Sequence, residues 1–152
     1  MANTQAMCSS FLGELMTATH NFTTGTGNTF KAALYLASAT VNASTTVYST
    51  SGEVTGTNYS PGGVTVTNGT SPLSSNTSTT AGVGYWTPSA SITYTNVTLT
   101  TAFDAVLIYN SSASDKAVSV HTFGSQTVTA GTFTLTMPSN TTSTALLRLA
   151  TT

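Results

Sequence analysis

The groups able to bind a metal, move a proton or attack a substrate are few: Cys8, His20, His121, Glu14, Glu53, Asp104, Asp115, Lys31, Lys116 and Arg148. Zinc and copper sites need several donors at characteristic spacings. Cys8, His20 and His121 lie far apart with no such spacing, and the four acids show no calcium-loop pattern. A hydroxyl nucleophile needs a base beside it and a third group that orients the base. With 36 Thr and 20 Ser in the chain, the presence of a hydroxyl carries no information. His121 and Asp104 could meet on adjacent strands, but a strand histidine satisfied by a carbonyl or carboxylate is the simpler expectation. Glu53 and Asp104 are the one acid pair worth testing for the paired carboxylates of sugar cleavage. Gly25-Thr26-Gly27-Asn28-Thr29-Phe30 breaks the dinucleotide fingerprint at its last position and runs into an expected strand, not a helix. The sequence therefore assigns no catalytic, cofactor-binding or metal-ligating residue, and the expectation is that the chain is not an enzyme.

Asp104 sits on the stretch Thr101–Asn110, which holds the apolar run Ala105-Val106-Leu107-Ile108-Tyr109. An unbroken run closed by Asn110-Ser111-Ser112 suits a strand covered on both faces, and this is the expected central strand. A carboxylate at the edge of such a strand is costly unless it is paired. Lys31 and Arg148 are its expected partners.

The elements that position these groups read as follows. Cys8, Phe11, Leu12, Leu15 and Met16 recur at helical spacing, which predicts an amphipathic helix over Ala6–Thr19 capped by Ser9 or Ser10. It is either a docking arm or a lid on its own core. Thr29–Ser38 reads as a strand. Ala39–Gly63 is a long polar segment that Tyr48 and Tyr59 could pin to the body, ending in the turn Pro61-Gly62-Gly63. Val64–Thr67 is a short strand, and Asn68–Gly84 is low in complexity, expected to be exposed and mobile or ordered by a partner. Trp86 is expected at the core. Ser91–Leu99, Phe103–Asn110, Ala117–Phe123, Thr132–Met137 and Ala145–Ala150 complete the strands, with Gly124–Gly131 as a turn. About eight short strands without a βαβ rhythm predict a mainly β fold, an antiparallel sandwich or jelly-roll-like barrel. Residues 1–22 form a helical arm and residues 23–152 a single β-domain.

Composition narrows the partners. Charged residues make up 5% of 152 residues, and the net charge is −1. Three cations cannot neutralise a run of phosphates, so neither nucleic acid nor an anionic membrane is an expected partner. A Ser/Thr surface with so little charge repulsion favours packing against copies of itself or a larger assembly, with an extracellular domain of neutral surface as the alternative. With one cysteine there is no intrachain disulfide. The N-terminus lacks the basic start and apolar stretch of a secretory signal, so the chain is expected to be made and kept in a cytosol. Sequons such as Asn42-Ala43-Ser44 and Asn110-Ser111-Ser112 are expected by chance in so hydroxyl-rich a chain.

A set of ordered segments then carries a resemblance. They are Phe30-Lys-Ala-Ala-Leu-Tyr35, Glu53-Val-Thr-Gly-Thr-Asn-Tyr59, Pro61-Gly-Gly-Val64, Val106-Leu-Ile-Tyr-Asn110 and Lys116-Ala-Val-Ser-Val120. Phe123-Gly124, Thr127–Pro138 and Ala145-Leu-Leu-Arg-Leu-Ala150 follow, and together they span most of residues 30–150. In their order and spacing these resemble small virion structural proteins of tailed bacteriophages. The resemblance implies a noncatalytic part of a phage particle, made in the host cytoplasm and residing in the virion. A head decoration or cement protein is the expected role, with the major capsid protein as partner and a homo-oligomer, a trimer favoured, as the assembled form. A tail or fibre component contacting host glycan is the alternative, and a secreted carbohydrate-binding module comes third.

Overall fold

The computed structural model describes residues 2–75 and 82–151. Its strands are β1 (Ala6–Met7), β2 (Phe30–Leu36), β3 (Val64–Thr65), β4 (Leu73–Ser74), β5 (Val83–Trp86), β6 (Ile92–Asn110), β7 (Lys116–Leu135) and β8 (Leu147–Ala150), with one helix, α1 (Ser9–Met16). All pairings are antiparallel. One sheet runs β1-β7-β6-β2-β3 and the other β4-β5-β8. The fold is a mainly β sandwich, as composition and strand spacing predict.

The central strand is where the apolar run places it. β6 pairs with β2 from Phe30↔Asn110 to Leu36↔Phe103 and with β7 along its whole length. Ala105 through Asn110 are buried, and so are Phe30 and Ala32 through Tyr35 facing them. The small sheet closes over this core through Trp86 and Leu147. Phe22 bridges the layers, stacked on Phe30 at 4.2 Å between ring centroids and tilted against Trp86 at 4.8 Å. Burying each such aromatic contributes roughly 1.5–3 kcal/mol.

The hairpin differs from the sequence expectation. Four strands and a turn over Gly124–Gly131 are in fact two long strands, of 19 and 20 residues, joined at residues 111–115. Alternation is legible only while the register holds, and here it shifts repeatedly between Tyr94 and Tyr109. β6 carries an extra residue where Asn96 sits at φ 52°, and β7 carries one where Ala130 sits at φ 46°. Each bulge moves the inward row by one residue. A continuous strand therefore reads in sequence as short strands with gaps.

The helix is also shorter than its periodicity predicts. Ala6–Met7 pair with Ser119–Val120 of β7 instead of opening the helix. Cys8 occupies the N-cap without a side-chain cap, so neither Ser9 nor Ser10 caps it. Cys8 and Phe11 both belong to the core. Within the expected low-complexity segment Asn68–Gly84, Leu73–Ser74 is a strand and Val83 and Gly84 open another, Val83–Trp86, while residues 76–81 lie outside the described residues.

Candidate functional site

The first cluster of titratable groups is built by the end of α1. Thr19 N–H donates to Glu14 O and Ala18 N–H to Leu15 O, the paired bonds of a Schellman motif with Ala18 at φ 55°. This reversal returns the chain so that His20 Nε2 lies 2.7 Å from Glu14 Oε2. Lys116 Nζ reaches the other oxygen at 2.6 Å. Asn110 Nδ2 stands 3.1 Å from His20 Nδ1 and donates to Asn28 Oδ1, while Asn110 Oδ1 accepts from Ser112 N–H. That orientation of the amide makes Nδ1 the acceptor and leaves Nε2–H to donate to Glu14. Burial works against the Glu14 carboxylate, but hydrogen bonds from Lys116 and His20 outweigh it and hold the pKa below its usual value. The cluster ties α1 to β7 and to the loop before β2, with every oxygen of Glu14 occupied.

Glu53 is the second cluster. It is buried in the long loop and bridges to Tyr35 of β2. Oε1 accepts from the Tyr59 phenol and from Gly62 N–H, both at 2.8 Å, and Oε2 accepts from the Tyr48 phenol at 2.6 Å. The Pro61-Gly62-Gly63 turn delivers that N–H. Gly62 and Gly63 hold φ 90° and 69°, and a Cβ on Gly63 would collide with the Ala32 carbonyl. The two tyrosines expected to pin the loop therefore do so through one carboxylate. Tyr109 stacks on Tyr48 at 4.6 Å and donates to Gly62 O. Burial first, and then the Glu53 charge, push the Tyr59 phenol far up. Tyr35 is pushed up to about 12 by burial, with the Glu53 charge adding to it.

The remaining candidates are kept apart. Asp104 pairs with neither Lys31 nor Arg148. Its Oδ1 accepts from Asn3 Nδ2 at 2.6 Å, and the same amide donates to Leu36 O. The register explains the correction: Lys31 sits opposite Tyr109, about 17 Å along β6 from Asp104 at the usual strand rise. Arg148 faces Tyr85 in the other sheet. His121 lies opposite Val106 and bonds Ser119 Oγ at 2.9 Å, so no Asp104–His121 dyad forms. Burial pushes its imidazole down to about 4. Glu53 and Asp104 each have their own partners and share no site. The buried Cys8 thiol is pushed up to about 11, by burial first and then by the Glu14 charge, which is the opposite of activation. Among the described residues no three His, Cys, Asp or Glu side chains come together to hold a metal.

One stretch of the surface is apolar. A groove of about 140 Å³ runs between α1 and the small sheet, lined by Phe11, Leu15, Phe22, Trp86, Leu147 and Leu149 among others. The Trp86 indole N–H is shared between Asn68 Oδ1 and Thr70 O, which fixes the ring as part of the groove floor. Among the described residues five large apolar side chains are exposed, and four of them, Leu12, Met16, Leu73 and Leu149, belong to α1, β4 and β8. Of these, α1 and β8 line the groove together with β5; Val47 is the fifth. Met16 is 86% exposed. The helical face read from the sequence as one stripe is thus two: Phe11 and Leu15 turn to the groove, while Leu12 and Met16 point away. The signal was an apolar arc too wide for one contact on a helix of two turns.

No protein-family model, no curated protein and no solved structure matches this chain.

Proposed function

We propose that this chain is a noncatalytic structural protein of a bacteriophage particle, a decoration or cement protein that binds the outer head surface and joins neighbouring capsid subunits. The observation that carries the reading is the apolar groove between α1 and the small sheet, with the exposed Leu149 in its lining, on a chain with only seven charged residues. Three of those seven, Glu14, Glu53 and Lys116, are spent on contacts within the fold, as is Asp104 on Asn3. A surface so poor in charge with an apolar groove suits docking on another protein. The partner is the major capsid protein. Binding the assembled shell but not its loose subunits adds interface free energy to the shell by mass action. The virion-protein resemblance of residues 30–150 supports the same reading.

The tail or fibre reading, with contact to host glycan, calls for aromatic rings exposed together. Trp86 and the tyrosines at 35, 59, 94 and 109 are buried, which leaves that reading with less support.

The test adds purified protein to particles that lack it and measures co-sedimentation. Leu149→Glu, at the exposed apolar residue that lines the groove, should weaken binding about tenfold or more, the scale of losing a buried apolar anchor. Val47→Glu, at an exposed apolar residue outside the groove, should not. Equal binding by all three proteins overturns the docking face.

A further inference from the structure

Among the described residues, the outer edge of β7 is partnered only at its start. Thr46 O accepts from Ala117 N–H, Cys8 N–H donates to Val118 O, and β1 pairs with Ser119–Val120. From Gly131 to Leu135, among the described residues, β7 pairs with β6 on one side and with nothing on the other. An open edge presents a row of unpaired N–H and C=O groups, and proteins usually blunt it with lysine, proline, inward charge or bulges. This segment, Gly131-Thr132-Phe133-Thr134-Leu135, has no charge and no proline. No charged residue occurs anywhere between Lys116 and Arg148. The bulge around Ala130 lies just before it, and the ladder is regular from Tyr94↔Phe133 to Ile92↔Leu135.

Its inner row is also unfinished. Gly131, Phe133 and Leu135 are half-buried, while Thr132 and Thr134 are exposed. Phe133 meets Phe103 at 5.0 Å and Phe123 at 5.3 Å between ring centroids on the core side, and no strand flanks it on the other.

We infer that a second copy of this chain adds its own β7 here, antiparallel, about a two-fold axis through Phe133. Gly131 then faces the partner's Leu135, and Thr132 the partner's Thr134. Each residue meets one of the same parity, so outward backbone groups meet outward groups and the inner rows join on one face. Phe133 meets its own copy, a favourable cross-strand aromatic pair. The absence of charge removes the usual penalty for bringing two identical edges together. Five residues bury far less than the roughly 1,600 Å² of a standard interface, so the pair is weak in solution. Copies already seated on a shell face one another at high effective concentration, where a weak pair counts. The inference deepens the assembly reading and rests on it; a three-fold assembly would need a different contact.

The experiment is sedimentation equilibrium of the full chain over a range of concentrations, with no particle present. Failure here therefore leaves shell docking untouched. The wild type should move from the mass of one chain towards two as concentration rises. Thr132→Lys with Thr134→Lys sets like charges opposite each other at two symmetry-related positions and should weaken the pair about tenfold. Thr132→Lys with Thr134→Glu sets opposite charges there and should restore it. Both positions are exposed, and circular dichroism checks that the fold is unchanged. A wild type that remains monomeric, that reaches the mass of three chains, or that matches both variants overturns the inference. So does a Lys/Glu variant as weak as the Lys/Lys one.

Discussion

Tyr59 donates its phenolic proton to Oε1 of Glu53 over 2.8 Å while its own oxygen accepts the Leu34 N–H at 2.9 Å. One side chain thus satisfies the buried carboxylate of the long loop and a backbone donor of β2, where β2 has no full-length neighbour. Tyr59→Phe orphans the Leu34 N–H and leaves Oε1 of Glu53 with the Gly62 N–H alone, in a buried setting, and should cost about 1–3 kcal/mol in urea unfolding. Tyr48→Phe should cost less, because Tyr48 is half-buried and water can replace its phenol at Oε2. Equal losses would mean that the Leu34 bond contributes nothing.

Acid should unfold the protein in two adjoining windows. His121 has a folded value of about 4 against 6.5 for the free side chain. The unfolded chain takes up a proton first, so stability from this group is complete above about pH 6.5 and falls as pH drops towards 4. The Glu14 carboxylate is lowered, so its contribution is present above the ordinary 4.5 and is lost below it. Unfolding free energy measured against pH should flatten between 6.5 and 4 in His121→Gln, whatever the variant's absolute stability. A slope identical to wild type would remove His121 from the account.

Alkali acts in the opposite sense. Tyr35 and Tyr109 are both pushed up to about 12 from 10, mainly by burial. Unfolded phenols ionise first, so these groups support the fold below pH 10 and cease to as pH rises through 12. Phenolate absorbance should therefore rise together with loss of the circular dichroism signal. Ionisation of most tyrosines near pH 10 with the fold intact would contradict the buried cluster.

Ala18 holds left-handed backbone at the end of α1, on the exposed side of the turn that returns His20 to Glu14. An alanine is strained there and a glycine is not. Ala18→Gly should stabilise the protein by up to about 1 kcal/mol, the usual cost of that conformation for a residue with a Cβ. Thermal melting reads it, and a lower midpoint would show that the glycine's chain entropy outweighs the strain.

What the sequence revealed depended on how local each interaction is. β2 and the second half of β6 were visible because their apolar runs are unbroken. Tyr48 and Tyr59 could be read as pins because they flank Glu53 in the same loop. Asn3 with Asp104, and Glu14 with Lys116, lie about a hundred residues apart, and no pattern within the chain links them. The long hairpin was hidden by its bulges: Asn96 and Ala130 each reset the alternation, and the polar stretch from Gly124 to Gly131 then passed for a turn. That same stretch leads into the open edge, so the surface on which the proposed pairing rests was the least legible.

The proposed decoration role requires this chain to coat a shell in many copies. It is tested most directly by counting it, with quantitative gel densitometry of purified particles against the major capsid band. The account predicts hundreds of copies per particle, in a fixed ratio to the capsid subunit. A few dozen copies, as for a tail or fibre component, or none at all, would contradict it.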